Sequence, residues 1–220
     1  DNNQYGEMVN QLIYDIACPE RNNPDSAYPY LRAFAPYEGH SWASGHANFE
    51  LGNNQESSSE ALNAWTGIIM WGEATNNKEL RDLGIYLYTT EVAAVDAYWY
   101  DVDGDVLSDA YKYDVPIQQV GNLNSNSKLV HNSAAIVWGG AYTYATWFDG
   151  NPLYIQGINL LPMNPACFYL AGNKDYVKLN YDNAYANAAA AGADMSAWID
   201  IYMQYYAFVD PDAALEKFNS

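Results

Sequence analysis

The stretch SSSEALNAWTGIIMWGEATNNKELRDLGIYLYTTEVAAVDAY, Ser57 to Tyr98, decides the fold. Ser57, Ser58 and Ser59 offer N-caps, and Leu62, Trp65, Ile68, Ile69 and then Trp71 or Gly72 follow at helical spacing. Thr75 to Asn77 interrupts the pattern. A second helix is predicted over Lys78 to Tyr98, with Leu80, Leu83, Leu87 and Val92 among its apolar positions. Two helices joined by so short a turn make an αα-hairpin, and such hairpins repeated around a ring build helical barrels.

Working outward, Met8, Leu12, Ile13 and Ile16 predict an amphipathic helix over Glu7 to Ala17, ended before Pro19. Three more helices are expected at Asp175 to Ala191, Asp194 to Phe208 and Pro211 to Phe218. Between them lie segments without sustained period. Arg21 to Gln55 is rich in Asn, Pro, Gly, Ser and aromatics, a connection long enough to count as a candidate functional loop. Asp101 to Leu129 is irregular and polar, and Val130 to Phe148 is dense in Trp, Gly and Tyr, a mix that suits a cleft wall. With no strand repeat, the expected class is mainly α, of the (α/α)-hairpin kind.

The composition narrows the ligand. A chain of 220 residues carries a net charge of -18 with only 9 Lys plus Arg, so nucleic acid and anionic membrane would both be repelled. The 21 Tyr and 7 Trp exceed what a core ordinarily needs, which places aromatic surface against something neutral. Sugars fit, because their C–H faces stack on rings while their hydroxyls bond to amides and carboxylates. Cys18 and Cys167 lie in no CxxC or metal-ligand spacing, and their pairing is left open. Apolar stretches are broken well before the ~18 residues a membrane span needs. Asp1 to Tyr5 has no basic or apolar leader character, so any signal peptide is expected to have been removed or to lie upstream.

The candidate chemistry sits where the long loop meets the first helix of the hairpin. In Asn53-Asn54-Gln55-Glu56-Ser57-Ser58-Ser59-Glu60, Glu56 and Glu60 stand four residues apart, about one turn, on one face. A plain helix start explains part of this, since a first-turn Glu suits the helix dipole and Ser57 with Glu60 has capping-box spacing. Asn54, Gln55 and the preceding Tyr37, His40, Trp42, His46 and Asn48 are more decoration than a helix start requires. Glycoside hydrolysis uses two carboxyl groups flanking the scissile bond. Two residues one turn apart do not easily flank a sugar from opposite faces, so one acts as base and the other supports it or binds sugar.

Three segments carry a specific resemblance. RAFAPYEGHSWASG (Arg32 to Gly45), NNQESSSEALNAW (Asn53 to Trp65) and VWGGAYTYATWFDGNPLYIQGINLLPMNPA (Val137 to Ala166) are similar to the signature segments of glycoside hydrolase family 81, the endo-β-1,3-glucanases. The resemblance implies an N-terminal β-sandwich joined to an (α/α)6 barrel, hydrolysis with inversion, no cofactor or metal, β-1,3-glucan as partner and a secreted, extracellular setting. It makes Glu56 the general base and Glu60 its essential neighbour. Tyr37, His40, Trp42, His46, Asn54, Gln55, Trp65 and Trp138 are the substrate-binding candidates around them. The family's general acid, an Asp in a His-rich segment, has no counterpart here, where the histidines are His40, His46 and His131. Residues 1–220 are therefore expected to form the later part of the barrel, completed by the remainder of the same enzyme and inactive alone. Ala35 stands where many relatives have Asp.

Among the aromatics, Trp138 is favoured as a stacking platform because Gly139 and Gly140 leave a face open, with Trp147 a further candidate. His131 reads as a satisfied structural histidine. Asp101, Asp103 and Asp105 around Gly104 admit a calcium reading, but Lys112 occupies the twelfth position of an EF-hand loop and an Asp-Gly turn accounts for the composition. The rival is a non-catalytic β-glucan-binding module. A polysaccharide lyase fits less well, since the cleft candidates lack the Arg or Lys that would neutralise a uronate.

Overall fold

A computed structural model of the chain describes residues 2–44, 48–114 and 129–219. The hairpin forms as expected: α2 (Ser58–Ala74) and α3 (Lys78–Tyr98) pack along their length, with α1 (Asn2–Ala17) ahead of them. Asn76 takes a left-handed conformation in the turn, φ 54°, and the Asn77 side chain accepts from the Leu80 N–H to cap α3. The two backbones touch closely. A Cβ on Gly72 would lie 2.4 Å from the Arg81 nitrogen, and one on Gly84 would lie 2.8 Å from the Ile69 nitrogen.

Downstream come α4 (Asp109–Asp114), α5 (Pro152–Gly157), a 3-10 helix (Pro165–Gly172), α6 (Lys174–Ala191), α7 (Ile199–Tyr206) and α8 (Pro211–Phe218). The chain is mainly α and of helical-barrel type, built from packed hairpins rather than a closed sheet. Helix α1 begins five residues before the expected Glu7, in a polar turn that gives no apolar period. Helix α7 begins five residues after the expected Asp194. There the Asp194 carboxylate accepts from Ser196 N and Oγ to make a local turn, and Trp198 sits at φ 49°, outside helical space.

Short strands connect the loops to the helices. β1 (Phe34–Ala35) pairs antiparallel with β2 (His40–Ser41), so Ala35 faces His40 in the register. β3 (Asn54–Gln55) pairs with β4 (Ile136–Trp138), which pairs with β5 (Tyr142–Thr143), both antiparallel. The small sheet β3-β4-β5 ties the candidate loop to the aromatic segment, a connection that two-residue strands do not announce in a sequence.

The core takes part of the tyrosine excess: Tyr100, Tyr111, Tyr144, Tyr176, Tyr181, Tyr202 and Tyr205 are all buried. Several hydroxyls donate to backbone carbonyls, as in Tyr202 to Leu153 at 2.8 Å and Tyr100 to Asn159 at 3.0 Å, so these rings serve as core with their polar atoms bonded. Cys18 and Cys167 are both buried and not joined in a disulfide. No described helix is long and apolar enough to cross a membrane.

Candidate active site

Three consecutive serines open α2, yet none caps it with its own side chain as the capping-box spacing suggested. Ser57 is the N-cap residue without a side-chain cap bond, and its Oγ donates to the Ile158 carbonyl at 3.0 Å. The cap comes from Asn159, whose Oδ1 accepts from Ser58 N at 3.0 Å and Ser58 Oγ at 2.8 Å. Ser59 Oγ donates to the Leu161 carbonyl. The start of α2 is thus seated in the loop after α5, and this fixes the direction in which Glu56 and Glu60 leave the backbone.

Glu56 lies between β3 and α2, half-buried. Its Oε1 accepts the Trp147 backbone N–H at 3.2 Å, which leaves Oε2 for a water. Burial raises its pKa above the ordinary carboxylate value, opposed by the Trp147 bond and reinforced by the charge of Glu60. That direction suits a base that must hold a proton briefly. Glu60, one turn on, is exposed, and both glutamates line a cavity of about 400 Å³ together with Ser41, Trp42, Gln55 and Trp65.

The other predicted residues divide by burial. Trp42 is half-buried on the cavity wall, where a ring can meet a sugar. Gln55 is buried at the cavity edge, its amide donating to the Ser57 carbonyl at 3.2 Å. Asn54 is buried and donates to Ser44 Oγ at 3.2 Å, a bond that staples the loop. His40 is only 2% exposed, packs edge-on against Trp42 and Trp99 at 4.5 and 5.0 Å, and its Nδ1 meets the Ser41 carbonyl at 2.8 Å, so it stands behind the wall and not on it. Burial lowers its pKa, the Ser41 bond opposing. Trp65 borders the cavity but is 2% exposed, so it forms wall, not a stacking platform. Tyr37 is 97% exposed at the tip of the β1–β2 turn and does not line the cavity. His46 lies outside the described residues.

Trp138 is half-buried, donates to Thr143 Oγ1 at 3.0 Å, and meets Phe49 and Trp147 edge-on at 5.5 and 5.7 Å. Beside it, the Gly139 and Gly140 N–H groups donate to the Asn53 and Leu51 carbonyls at 2.9 and 3.1 Å, which joins this segment to the backbone of Leu51 to Asn53. The open rings of that cluster are Phe49 and Trp147, 40% and 54% exposed. His131 is a buried structural residue stacked on Tyr144 at 4.0 Å, and burial drives its pKa down to about 4, the Tyr111 backbone opposing. The Asp101 carboxylate is taken by Val106 N at 2.8 Å, Leu107 N at 3.1 Å and Lys112 Nζ at 2.7 Å, so the calcium reading loses its first ligand. No group of three His, Cys, Asp or Glu able to hold a metal occurs among the described residues.

Sequence reasoning missed three contributors. Trp147 was noticed for its ring and not for its amide. Asn159 lies in the third signature segment, but its partner is 101 residues away. Glu91 reads as an ordinary polar position on α3 and is in fact fully buried, bonded to Trp65 Nε1 at 2.5 Å and Ser41 Oγ at 2.7 Å.

Helical hairpins presenting two glutamates over an aromatic-walled cavity define a domain of glycoside-hydrolase type. The chain belongs to glycoside hydrolase family 81: residues 2–220 match the family's C-terminal domain. It is 48% identical over 215 residues to a glucan endo-1,3-beta-D-glucosidase of Acetivibrio thermocellus, covering 98% of this chain and 25% of that protein. A protein of the same name from Thermobifida fusca is 36% identical over 217 residues, covering 99% and 26%. A solved glycoside hydrolase family 81 structure from Clostridium thermocellum superposes with a TM-score of 0.83 at 48% identity, over 97% of this chain and 27% of that one. The chain therefore spans about a quarter of the length of these relatives.

Proposed function

We propose that this chain is the base-bearing part of an inverting endo-β-1,3-glucanase, acting outside the cell on glucans of the laminarin or curdlan type. Glu56 takes a proton from a water that attacks the anomeric carbon, Glu60 supports it or binds sugar, and an Asp elsewhere in the polypeptide protonates the departing oxygen. The observation that carries the reading is Glu56 itself: a half-buried carboxylate of raised proton affinity, anchored through one oxygen by the Trp147 amide, on one cavity with Glu60. The names of the relatives support the substrate class, and the quarter-length match supports a larger enzyme of which this chain is one part. In this reading the rest of that enzyme carries the β-sandwich and the earlier part of the barrel. Trp42, Gln55 and the exposed rings of Phe49 and Trp147 are the sugar contacts this reading favours. The reaction calls for no cofactor.

In the complete polypeptide, Glu56→Gln is expected to lower reducing-sugar release from laminarin by roughly 10²–10⁴-fold, the range a positioned general base supplies. Near wild-type hydrolysis by that variant would falsify the assignment.

A further inference from the structure

Behind the cavity, α3 carries a carboxylate that the hydrolytic step does not use. Glu91 is 0% exposed, and its two oxygens are divided between two elements: Oε1 accepts from Ser41 Oγ on β2 at 2.7 Å, Oε2 from Trp65 Nε1 on α2 at 2.5 Å. Both donors line the cavity that holds Glu56 and Glu60. Burying a carboxylate is costly unless it is bonded, and an apolar residue of similar volume would fill a helix interface at lower cost. Here the burial secures only two wall positions. Trp42, the half-buried ring on that wall, follows Ser41 directly, while His40 before it is locked against Trp99.

We propose that Glu91 is a positioning residue for substrate affinity, holding the Trp65 indole and the Ser41–Trp42 strand at the separation that a β-1,3-glucan chain requires. The inference rests on the cavity being the glucan cleft proposed above. Ser41 approaches from the loop side and Trp65 from the helix side, and Glu91 is the group to which both are bonded. Losing it frees the wall to shift without moving Glu56, which is held separately by Trp147 and by the seating of α2 on Asn159.

The test compares Glu91→Leu and Glu91→Gln in the complete polypeptide. Leucine keeps the volume and loses both bonds. Glutamine keeps both, its carbonyl accepting from Trp65 Nε1 while its amide donates to Ser41 Oγ. For Glu91→Leu, KM for laminarin is expected to rise about tenfold with kcat within about threefold, and Glu91→Gln is expected to restore KM to within about twofold of wild type. Ser41→Ala, which removes the other bond to Glu91 with little change of volume, should raise KM in the same direction and serves in place of Glu91→Leu if that variant does not fold. An unchanged KM with reduced kcat, or a glutamine variant as impaired as the leucine one, overturns the proposal. Calorimetric binding of laminarihexaose to each variant in a Glu56→Gln background separates the two readings: loss of affinity on altering Glu91 stands even if Glu56 proves not to be the base, whereas unaltered affinity sinks the Glu91 role alone.

Discussion

A carboxyl group whose pKa is raised by burial holds its proton more tightly in the folded protein than in the unfolded chain, and this has a sign. Glu91 is pushed from 4.5 to about 7, burial being the largest cause and the bonds from Trp65 and Ser41 opposing it. Between those values the folded protein binds more protons than the unfolded, so stability falls as pH rises through the window, by up to roughly 3 kcal/mol for a shift of this size. Below about 4.5 the group contributes no such loss, and above about 7 the loss is complete. Glu91→Gln cannot ionise. Compared with wild type, it is expected to gain stability in urea melts at pH 8 and to lose that advantage at pH 5. Curves that stay parallel at both values would remove Glu91 as their cause. The same residue shows the limit of reading a site from sequence. Glu56 and Glu60 were legible because their relation is local, one turn of one helix. Glu91 was not, because its partners lie 50 and 26 residues away and only the folded chain brings them together.

At the scale of elements, the α2–α3 hairpin depends on two glycines that a pattern of apolar positions does not flag. A methyl group at Gly84 would stand 2.8 Å from Ile69 backbone and side chain, too close for van der Waals contact, whereas one at Gly67 meets nothing within 4 Å. Gly84→Ala is expected to destabilise by about 1–3 kcal/mol through forced separation of the helices. Gly67→Ala, on the exposed face of α2, should stabilise by about 0.5–1 kcal/mol through helix propensity. Chemical denaturation of the two single variants checks this, and equal effects would contradict the close approach. Long periodic helices were the readable part of this fold: α3 and α8 fall on their expected bounds, Lys78–Tyr98 and Pro211–Phe218, and α6 within one residue of them. The 3-10 helix, α5 and the two-residue strands were not readable. Each is too short to show a period: α5 and the 3-10 helix open on local Asn caps, Asn151 and Asn164, and strand β3 exists only where the distant β4 pairs with it.

Over the whole molecule, a net charge of -18 governs what can approach. An uncharged glucan meets no long-range field, so its affinity should change less than about twofold between 0.05 and 0.5 M salt, measured by calorimetry with laminarihexaose; a steep salt dependence would point to a charged ligand instead. Composition alone argues against anionic partners, but it does not say where each tyrosine sits: Tyr202 and Tyr205 are buried while Tyr37 and Tyr113 are exposed. The seating of α2 carries a further consequence, for the order of assembly. A helix capped by its own first residue is complete once its first turn forms. Here the Ser58 amide that opens that turn waits for Asn159, 101 residues along the chain. The hairpin can collapse early on local contacts, but the turn joining Glu56 to Glu60 stays frayed until the distant loop closes over it. A nascent chain that has its helices therefore does not yet have these carboxylates in place: they wait on a contact between residues 101 apart.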